Sequence, residues 1–300
     1  MSDEVQGATL AAITAIVDRA LDEDAPWGDA TSEAAIPATA TATARVVSRV
    51  DGVFAGGLPL ELAFTRVDPA LVVERHVADG DPIAHGTTIA TITGSARGIL
   101  RGERVALNLS QRMSGIATLT RDYVKAVSHT SVRIVDTRKT TPGLRVLEKS
   151  AVRAGGGYNH RHSLSDAVML KDNHLAVLGA HGFGLTEAIR IVRARIPHTM
   201  HLEVEVDRLS QLEAVLAAEP DTIMLDNFSV DDLRAGVAII AGSAIVEASG
   251  GVTLDTVSAI AETGVDVISV GALTHSAPAL DLGLDITITA EPGGAAGGAR

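Results

Sequence analysis

The second half of the chain alternates short β-branched runs with helical patterns, and this alternation limits the possible folds more than any other feature. The runs lie at residues 132–136, 167–171, 202–206, 222–226, 244–248 and 266–270, with the sequences VRIVD, AVMLK, LEVEV, TIMLD, AIVEA and DVISV. The segments between them have apolar residues at helical spacing, and several begin with Ser, Thr or Asp in a capping position. Repeated βα units form parallel sheets, and six or seven in a row favour a barrel, with a doubly wound sheet as the alternative.

Charged residues stand at or just beyond the end of nearly every run, and their position favours the barrel. They are Arg138, Lys139, Lys171, Glu205, Asp226 and Glu247. In a parallel barrel the carboxyl ends of the strands converge on one face, where the βα loops build the active site. The sequence therefore predicts an α/β barrel with cations and acids gathered on that face.

The residues before about 115 follow a different pattern and are predicted to form a separate α/β domain. They contain an apolar-periodic helix at 8–21, an alternating strand region at 39–56, a hairpin-like segment at 80–94 and the start of a helix at 107–124. We therefore place the two domains at 1–115 and 116–274. The tail, 291–300, has no apolar periodicity and is predicted to be disordered.

Positive charge is concentrated in residues 133–174, which hold eight lysines and arginines against four aspartates and glutamates in a chain of net charge −12. These cations are spaced singly, and aromatic residues make up only 2% of the chain, whereas a nucleic-acid-binding segment needs a continuous basic run with aromatic residues for stacking. The pattern favours a pocket for a small polyanion and argues against nucleic acid. Arg145, Lys149 and Arg153, four residues apart on a predicted helix, form either a solvated face or a contact with phosphate or a partner.

Motifs that the chain lacks narrow its class further. It has no cysteine, which excludes disulfides, iron–sulfur clusters and thiolate zinc sites and makes the cytoplasm the expected location. No apolar run approaches the ~20 residues needed to span a bilayer, and the acidic N-terminus lacks a signal-peptide layout. The ten histidines lack paired-ligand spacing, and neither GxxxxGKS/T nor a helix-opening GxGxxG is present. We therefore expect no membrane, no tightly bound transition metal and no nucleoside triphosphate or dinucleotide.

Glycine-rich turns follow the last two predicted strands, as SGG and VGAL. In barrels the last two βα loops commonly hold a phosphate with backbone N–H groups. The sequence therefore predicts a phosphate site at Ser249, Gly250, Gly251, Gly271 and Ala272.

Specific words occur in the cationic region: DTRKTTPGLR (136–145), GGGYNHR (155–161) and KDNH (171–174). Further words occur in order along most of the chain: EDAPWGDATS (23–32), GERVALNLSQRMSGIAT (102–118), LEVEV (202–206), MLDN (224–227), EASGGV (247–252) and SVGALTHS (269–276). In these words and their order the chain resembles the quinolinate phosphoribosyltransferase family, also called nicotinate-nucleotide pyrophosphorylase (carboxylating).

The resemblance implies the architecture of type II phosphoribosyltransferases, an N-terminal α/β open sandwich domain followed by an incomplete α/β barrel, with residues 275–290 returning to the first domain. It also implies the reaction. The ring nitrogen of quinolinate displaces pyrophosphate from phosphoribosyl pyrophosphate, and decarboxylation then gives nicotinate mononucleotide for de novo NAD biosynthesis. Mg²⁺ is expected with phosphoribosyl pyrophosphate, and no organic cofactor is needed.

The resemblance assigns the cations to the substrates. Arg138, His160 and Arg161 match residues that contact quinolinate, and guanidinium forks suit its planar carboxylates. Lys139 and Lys171 match pocket residues that contact the substrate or the pyrophosphate.

The acids are expected to act on the sugar donor. Glu205 and Asp226 would serve Mg²⁺ and the ribose and would stabilise the positive charge that develops at the ribose C1. Together with Lys139 and Lys171 they are the expected catalytic residues. Glu203 shares the strand face of Glu205, so both are candidates, and Glu205 is favoured because it lies nearer the carboxyl end.

Arg104 matches a quinolinate-contacting arginine that, in the family, reaches into the neighbouring subunit's pocket. The resemblance therefore implies a homodimer whose sites are completed in trans, with a larger assembly also open.

His162 departs from the family, in which an apolar or small residue is expected, and it either alters the pocket or points outward. Two alternatives stay open: a paralogous phosphoribosyltransferase linked to molybdenum transport with another acceptor, and a non-catalytic barrel that binds a dicarboxylate or phosphosugar.

Overall fold

The computed structural model describes residues 3–289, so the predicted disordered tail lies outside the described residues. The helices are α1 (Asp3–Asp24), α2 (Ala30–Ala35), α3 (Gly57–Val67), α4 (Ala96–Ala126), α5 (Arg145–Ala154), α6 (Asp172–Ala180), α7 (Leu185–Arg195), α8 (Leu212–Leu216), α9 (Val230–Ile240), α10 (Val257–Ala261) and α11 (Ala272–His275). The strands are β1 (Thr41–Ser48), β2 (Gly52–Val53), β3 (Val72–Arg75), β4 (Pro82–Ile83), β5 (Thr88–Ser95), β6 (Arg133–Val135), β7 (Val168–Leu170), β8 (Leu202–Val206), β9 (Thr222–Asp226), β10 (Ile245–Ser249), β11 (Val267–Ser269) and β12 (Leu282–Thr289).

The chain divides into two compact units. The first runs to Thr118 and also contains Pro142–Ala154 and the chain from Pro278 onward, and the second contains Leu119–Thr141 and Gly155–Ala277. Helix α5 thus belongs to the first unit, whereas the sequence placed it in the barrel domain. The reason is the buried carboxylate of Glu148 on α5, which accepts hydrogen bonds of 3.1 and 2.9 Å from the Arg112 guanidinium on α4. Lys149, on the same helix, is only 1% exposed, so the interpretation as a solvated face is wrong for this residue.

The first unit is built on an antiparallel sheet in the order β12-β1-β5-β3. Alternate residues of β1, including Ala42, Ala44 and Val46, are fully buried, which is the period-two pattern of a half-buried strand. Strand β12 pairs with β1 along its whole length, from Ser48 opposite Leu282 to Thr41 opposite Thr289. The predicted hairpin at 80–94 is wrong: β4 pairs with β2, whereas β5 pairs with β1 and β3, because the apolar residues of β5 are buried beside those of β1.

The second unit is built on six parallel strands, which are the six runs read from the sequence. Their order is β6-β11-β10-β9-β8-β7, so the last strand of the set, β11, lies beside the first, β6. In a doubly wound sheet the order of the strands reverses near the middle of the sheet. An order in which the last strand lies beside the first is that of a barrel. Among the described residues β6 and β7 do not pair, and Tyr158 instead bridges Val135 of β6. The prediction of an incomplete α/β barrel is confirmed.

Among the described helices, none is by itself long and apolar enough to cross a bilayer. Helices α6 and α7 meet the length and composition criteria only when taken together, and they are bent by 103°.

Candidate active site

A cavity of about 340 Å³ in the second unit lies at the carboxyl ends of the parallel strands. Its lining contains the predicted site residues Arg138, Lys139, His160, Arg161, Lys171, Glu205, Asp226 and Ser249, together with Thr137, Met169, Met224, Glu247 and Ser269. A larger cavity, of about 1150 Å³, opens at the amino ends of the strands and includes Arg133, His201 and Asp266. We assign the site to the smaller cavity, because functional groups in parallel barrels gather at the carboxyl ends of the strands.

Two guanidinium groups approach each other in this cavity. Arg161 donates from Nη1 to the carbonyl oxygen of Ala167 at 3.1 Å, and its Nη2 lies 3.4 Å from the Met169 sulfur. Burial and the neighbouring charge of Arg138 both lower the pKa of Arg161. Two cations that repel each other in a half-buried place favour a ligand with two negative charges.

Asp136 positions the turn that carries His160 and Arg161. Its carboxylate is 0% exposed and accepts hydrogen bonds from Asn159 Nδ2 at 2.6 Å and from the His160 N–H at 2.9 Å. The backbone of Asp136 also donates to the Tyr158 carbonyl at 3.1 Å. The sequence analysis missed this role, although an acid directly after a buried strand was a visible signal.

His160 lies against two buried carboxylates. Its Nε2 is 3.3 Å from Glu203 Oε2 and 3.4 Å from Glu247 Oε2, and the two glutamates are 2% and 3% exposed. The other oxygen of each carboxylate accepts no hydrogen bond from any described residue. The sequence analysis considered Glu203 and placed Glu247 at a strand end, but it did not connect either to His160.

The charge state of His160 follows from these neighbours. Burial opposes the charged ring, but hydrogen bonds to Glu203 and Glu247 outweigh it and raise the pKa of His160 from 6.5 to about 10. Burial, with the charge of Glu247, raises the pKa of Glu203 as well. The Arg161 N–H lies 2.8 Å from His160 Nδ1, which favours a ring without a proton there. Two buried carboxylates outweigh one peptide dipole, so we assign His160 as a cation.

The two acids expected to serve the sugar donor are each held by a neighbour. Lys171 Nζ lies 2.5 Å from Glu205 Oε2, and Asn227 Nδ2 donates to Asp226 Oδ2 at 2.7 Å. Lys171 is also the N-cap of α6, and its backbone N–H donates to His174 Nδ1. Among the described residues, no group donates to the second oxygen of either carboxylate, so both oxygens are available to a ligand.

Conformation or space favours glycine at three positions in the two turns. Gly250 and Gly251 have φ values of +89° and +59°, in the left-handed region that favours glycine. Gly271 leaves room for Lys139, since an added Cβ would lie 3.1 Å from Lys139 Cδ. Ala272 begins α11 directly after Gly271.

Several positions named from the sequence are not in the cavity lining: Gly250, Gly251, Gly271 and Ala272 of the two turns, and also Arg104 and His162. Arg104 is on α4 in the first unit, with a side chain that is 58% exposed and 3.9 Å from Glu103. His162 is exposed, and its backbone N–H donates to Asp166 at 2.5 Å, so it stands outside the lining.

A parallel barrel that gathers two guanidinium groups and two acids at the carboxyl ends of its strands, with glycine turns after the last two, is typical of an enzyme that acts on small anionic substrates. Comparisons with known proteins identify the family. The model of the quinolinate phosphoribosyl transferase C-terminal domain matches residues 116–285, and that of the N-terminal domain matches residues 29–114. The chain belongs to the quinolinate phosphoribosyltransferase family.

Individual relatives agree with this assignment. The chain is 44% identical over 269 residues to the probable nicotinate-nucleotide pyrophosphorylase (carboxylating) of Bacillus subtilis, covering 90% of this chain and 91% of that one. It is 45% identical to the nicotinate-nucleotide pyrophosphorylase (carboxylating) of Mycobacterium leprae, covering 90% and 95%. The crystal structure of NadC from Streptococcus pyogenes superimposes with a TM-score of 0.88 at 40% identity, covering 93% and 97%. None of these names supports the molybdenum-linked or non-catalytic alternatives.

Proposed function

We propose that this protein transfers the phosphoribosyl group of phosphoribosyl pyrophosphate to quinolinate and releases one carboxylate as CO₂, giving nicotinate mononucleotide and pyrophosphate. The observation that carries the proposal is the Arg138–Arg161 pair beside a cationic His160, in one cavity with Glu205 and Asp226. Quinolinate carries two adjacent carboxylates on a planar ring, which the guanidinium forks can bind bidentately.

The chemistry depends on positive charge at two stages of the reaction, first on the ribose C1 and then on the pyridine ring. As the bond between the ribose C1 and the pyrophosphate oxygen breaks, positive charge develops at C1, and Glu205 and Asp226 stabilise it. The quinolinate nitrogen then forms the new bond to C1, which makes the ring cationic. That positive ring stabilises the electron pair left on carbon when the adjacent C–CO₂ bond breaks, and this carbon then takes up a proton, so decarboxylation follows transfer.

Mg²⁺ fits the acids of this site. Carboxylate oxygens are the ligands that Mg²⁺ prefers, and Glu205 and Asp226 each keep one oxygen available while Lys171 and Asn227 hold the other. The ion, when bound with phosphoribosyl pyrophosphate, would neutralise charge on the leaving pyrophosphate. We propose that Lys139 and the Ser249–Gly251 and Gly271–Ala272 turns bind the phosphates of the donor.

We also propose a homodimer in which Arg104 completes the neighbouring subunit's site. Sedimentation would also detect any larger assembly of these dimers. Helix α6 supports a protein partner next to the site: it begins after Lys171, has the largely apolar sequence DNHLAVLGA, and contains no buried residue. Val177 on this helix is 60% exposed. Sedimentation should show a dimer that Val177→Lys weakens, and a monomeric wild-type protein would contradict the proposal. The cytoplasmic location expected from the cysteine-free sequence stays a prediction.

One assay tests the function. The protein is incubated with Mg²⁺, phosphoribosyl pyrophosphate and quinolinate labelled in its carboxylates, and labelled CO₂ and nicotinate mononucleotide are measured together. The proposal expects both products in equal amounts, each dependent on the donor. A nucleotide that retains both carboxylates, without CO₂, would indicate transfer without decarboxylation. Binding of either substrate with no product would indicate a binding protein.

A further inference from the structure

Asn227, the residue directly after Asp226, has an uncommon backbone conformation at the edge of the cavity. Its φ is +60°, in the left-handed region, where asparagine is tolerated better than most residues other than glycine. Among the described residues, the other non-glycine positions with positive φ are Glu219, which follows α8, and Ala241, at the end of α9. Strained backbone of this kind persists where the surroundings fix it, often at a functional site.

The contacts of Asn227 explain what fixes it. Its backbone N–H donates to the Ser249 carbonyl at 2.9 Å, which extends the pairing of β9 with β10 one step beyond the Asp226–Ser249 pair. The left-handed turn then directs the side chain back along the strand end, and Nδ2 donates to Asp226 Oδ2 at 2.7 Å. One residue thereby joins a donor-site carboxylate to the strand that leads into the glycine turn.

The glycine turn is shaped around the same carboxamide. A Cβ added at Gly250 would overlap Asn227 Oδ1 and would lie 2.9 Å from the Asn227 nitrogen. Gly250 also has φ +89°, so glycine is required there by both conformation and space. The Asn227 carboxamide thus occupies the volume that a side chain at Gly250 would need.

We infer that Asn227 is a positioning residue for the sugar donor, which aims the Asp226 carboxylate and sets the conformation of the Ser249–Gly251 turn at the same time. The inference rests on the proposed role of Asp226 and this turn in binding phosphoribosyl pyrophosphate. Because Nδ2 holds Oδ2, Oδ1 of Asp226 faces the ligand in one orientation. Groups that orient a ligand-binding carboxylate typically contribute about 10- to 100-fold in affinity or activity when lost.

Asn227→Gly isolates the side chain, because glycine keeps the left-handed backbone. The variant should raise KM for phosphoribosyl pyrophosphate, or the Mg²⁺ concentration needed for half-activity, so that kcat/KM for the donor falls by about 10- to 100-fold. The dissociation constant for quinolinate alone, measured by calorimetry, should change less than about twofold. Asn227→Asp should lower kcat/KM for phosphoribosyl pyrophosphate further, because it removes the hydrogen-bond donor Nδ2 and places a second carboxylate beside Asp226. Ala241→Gly is the matched control: it relieves the same backbone conformation away from the cavity and should leave both quantities unchanged.

Gly250→Ala tests the contact with the turn. In the wild type the added methyl group meets the Asn227 carboxamide, whereas in an Asn227→Gly background only the backbone conformation and the backbone nitrogen of residue 227, at 2.9 Å, oppose it. The loss caused by Gly250→Ala should therefore be smaller in that background. Losses that multiply as independent effects would overturn the coupling.

Asp226→Asn separates this inference from the proposed function. If Asp226→Asn impairs use of the donor but Asn227→Gly retains kcat/KM within about twofold, the inference is wrong and the proposed role of Asp226 stands. If Asp226→Asn has no effect, the proposed role itself fails. An Asn227→Gly variant that loses quinolinate binding as strongly as donor use would also overturn the inference, since it would indicate collapse of the whole site.

Discussion

Glu247→Gln should make quinolinate binding sensitive to alkaline pH, because it removes one of the two carboxylates that keep His160 charged. The pKa of His160 lies at about 10 rather than 6.5, because Glu203 and Glu247 approach its Nε2 at 3.3 and 3.4 Å. At about 1.36 kcal/mol per pH unit, that difference corresponds to roughly 5 kcal/mol. The two carboxylates lie at nearly equal distances and together outweigh the opposing effect of burial, so removing one charge should cancel more than half of this rise in the pKa of His160.

The sign follows from the raised pKa. A group of this kind stabilises the folded and ligand-bound states fully below its ordinary pKa, and that contribution is lost as the pH rises through the raised value. In the wild type, His160 stays cationic from pH 6.5 to about 10. In Glu247→Gln the cation is lost at a lower pH than in the wild type, so quinolinate should bind about tenfold more weakly than to the wild type near pH 9.5, the effect of one charge-assisted contact.

Calorimetric titration with quinolinate alone, from about pH 6.5 to 9.5, measures this directly. Glu262→Gln is the matched control, because Glu262 lies 3.3 Å from His129 but the two side chains are 55% and 48% exposed. That exposed pair is screened by solvent, so the control should follow the wild-type profile. The reasoning is refuted if wild-type affinity already falls through pH 6.5, or if Glu247→Gln and the wild type share one profile.

Further outcomes are expected elsewhere in the site. Arg138→Lys should reduce kcat/KM for quinolinate by about 30- to 1,000-fold, nearly as much as Arg138→Ala, because a point charge cannot replace a bidentate fork, and near wild-type turnover would contradict this. Asp226→Asn should weaken use of phosphoribosyl pyrophosphate while calorimetric binding of quinolinate alone stays intact, and an equal loss of both would indicate a structural role. Asp136→Ala should lower the free energy of unfolding in denaturant by about 2–4 kcal/mol, because two donors of the NHR turn lose their buried acceptor, and unchanged stability would remove this role. Arg104→Ala and Lys171→Ala subunits that are refolded together should recover about a quarter of wild-type activity, because half the dimers are mixed and each mixed dimer has one intact site. Recovery no greater than the summed activities of the two separate mutants would place Arg104 in its own chain's site or in none.

The barrel strands could be predicted because their signal is local. Each run is short, apolar and followed by polar residues, and all six became β6 to β11. The same locality explains the errors in the first unit. The segment at 80–94 looked like a hairpin because its two strands are adjacent in sequence, but their partners, β2 and β1, are fixed by burial of distant residues. Helix α5 groups with the first unit because its buried Glu148 is bonded to Arg112, and no pattern within α5 indicates that partner.

The candidate site was predictable as a list of residues but not as a set of pairs. Motif words and strand ends gave the cations and acids that line the cavity. Period two placed Glu203 and Glu205 on one strand face, yet it could not tell that one would meet His160 and the other Lys171. Asn227 was read only as part of the word MLDN, because its positive φ is a property of the backbone that the residue type merely permits.

Depth along the strands is what keeps the charges of the site from cancelling one another. Glu203 precedes Glu205 by two residues, or about 6.6 Å along a strand, and lies buried with Glu247 beneath His160. Glu205 lies nearer the carboxyl end, where it pairs with Lys171. The deep acids thus balance the charge of His160, while burial, together with the charge of Arg138, lowers the pKa of Arg161. If Glu203 and Glu247 stood at the level of Glu205 they could pair with those guanidinium groups, and the protein's own carboxylates would occupy the place that we assign to quinolinate.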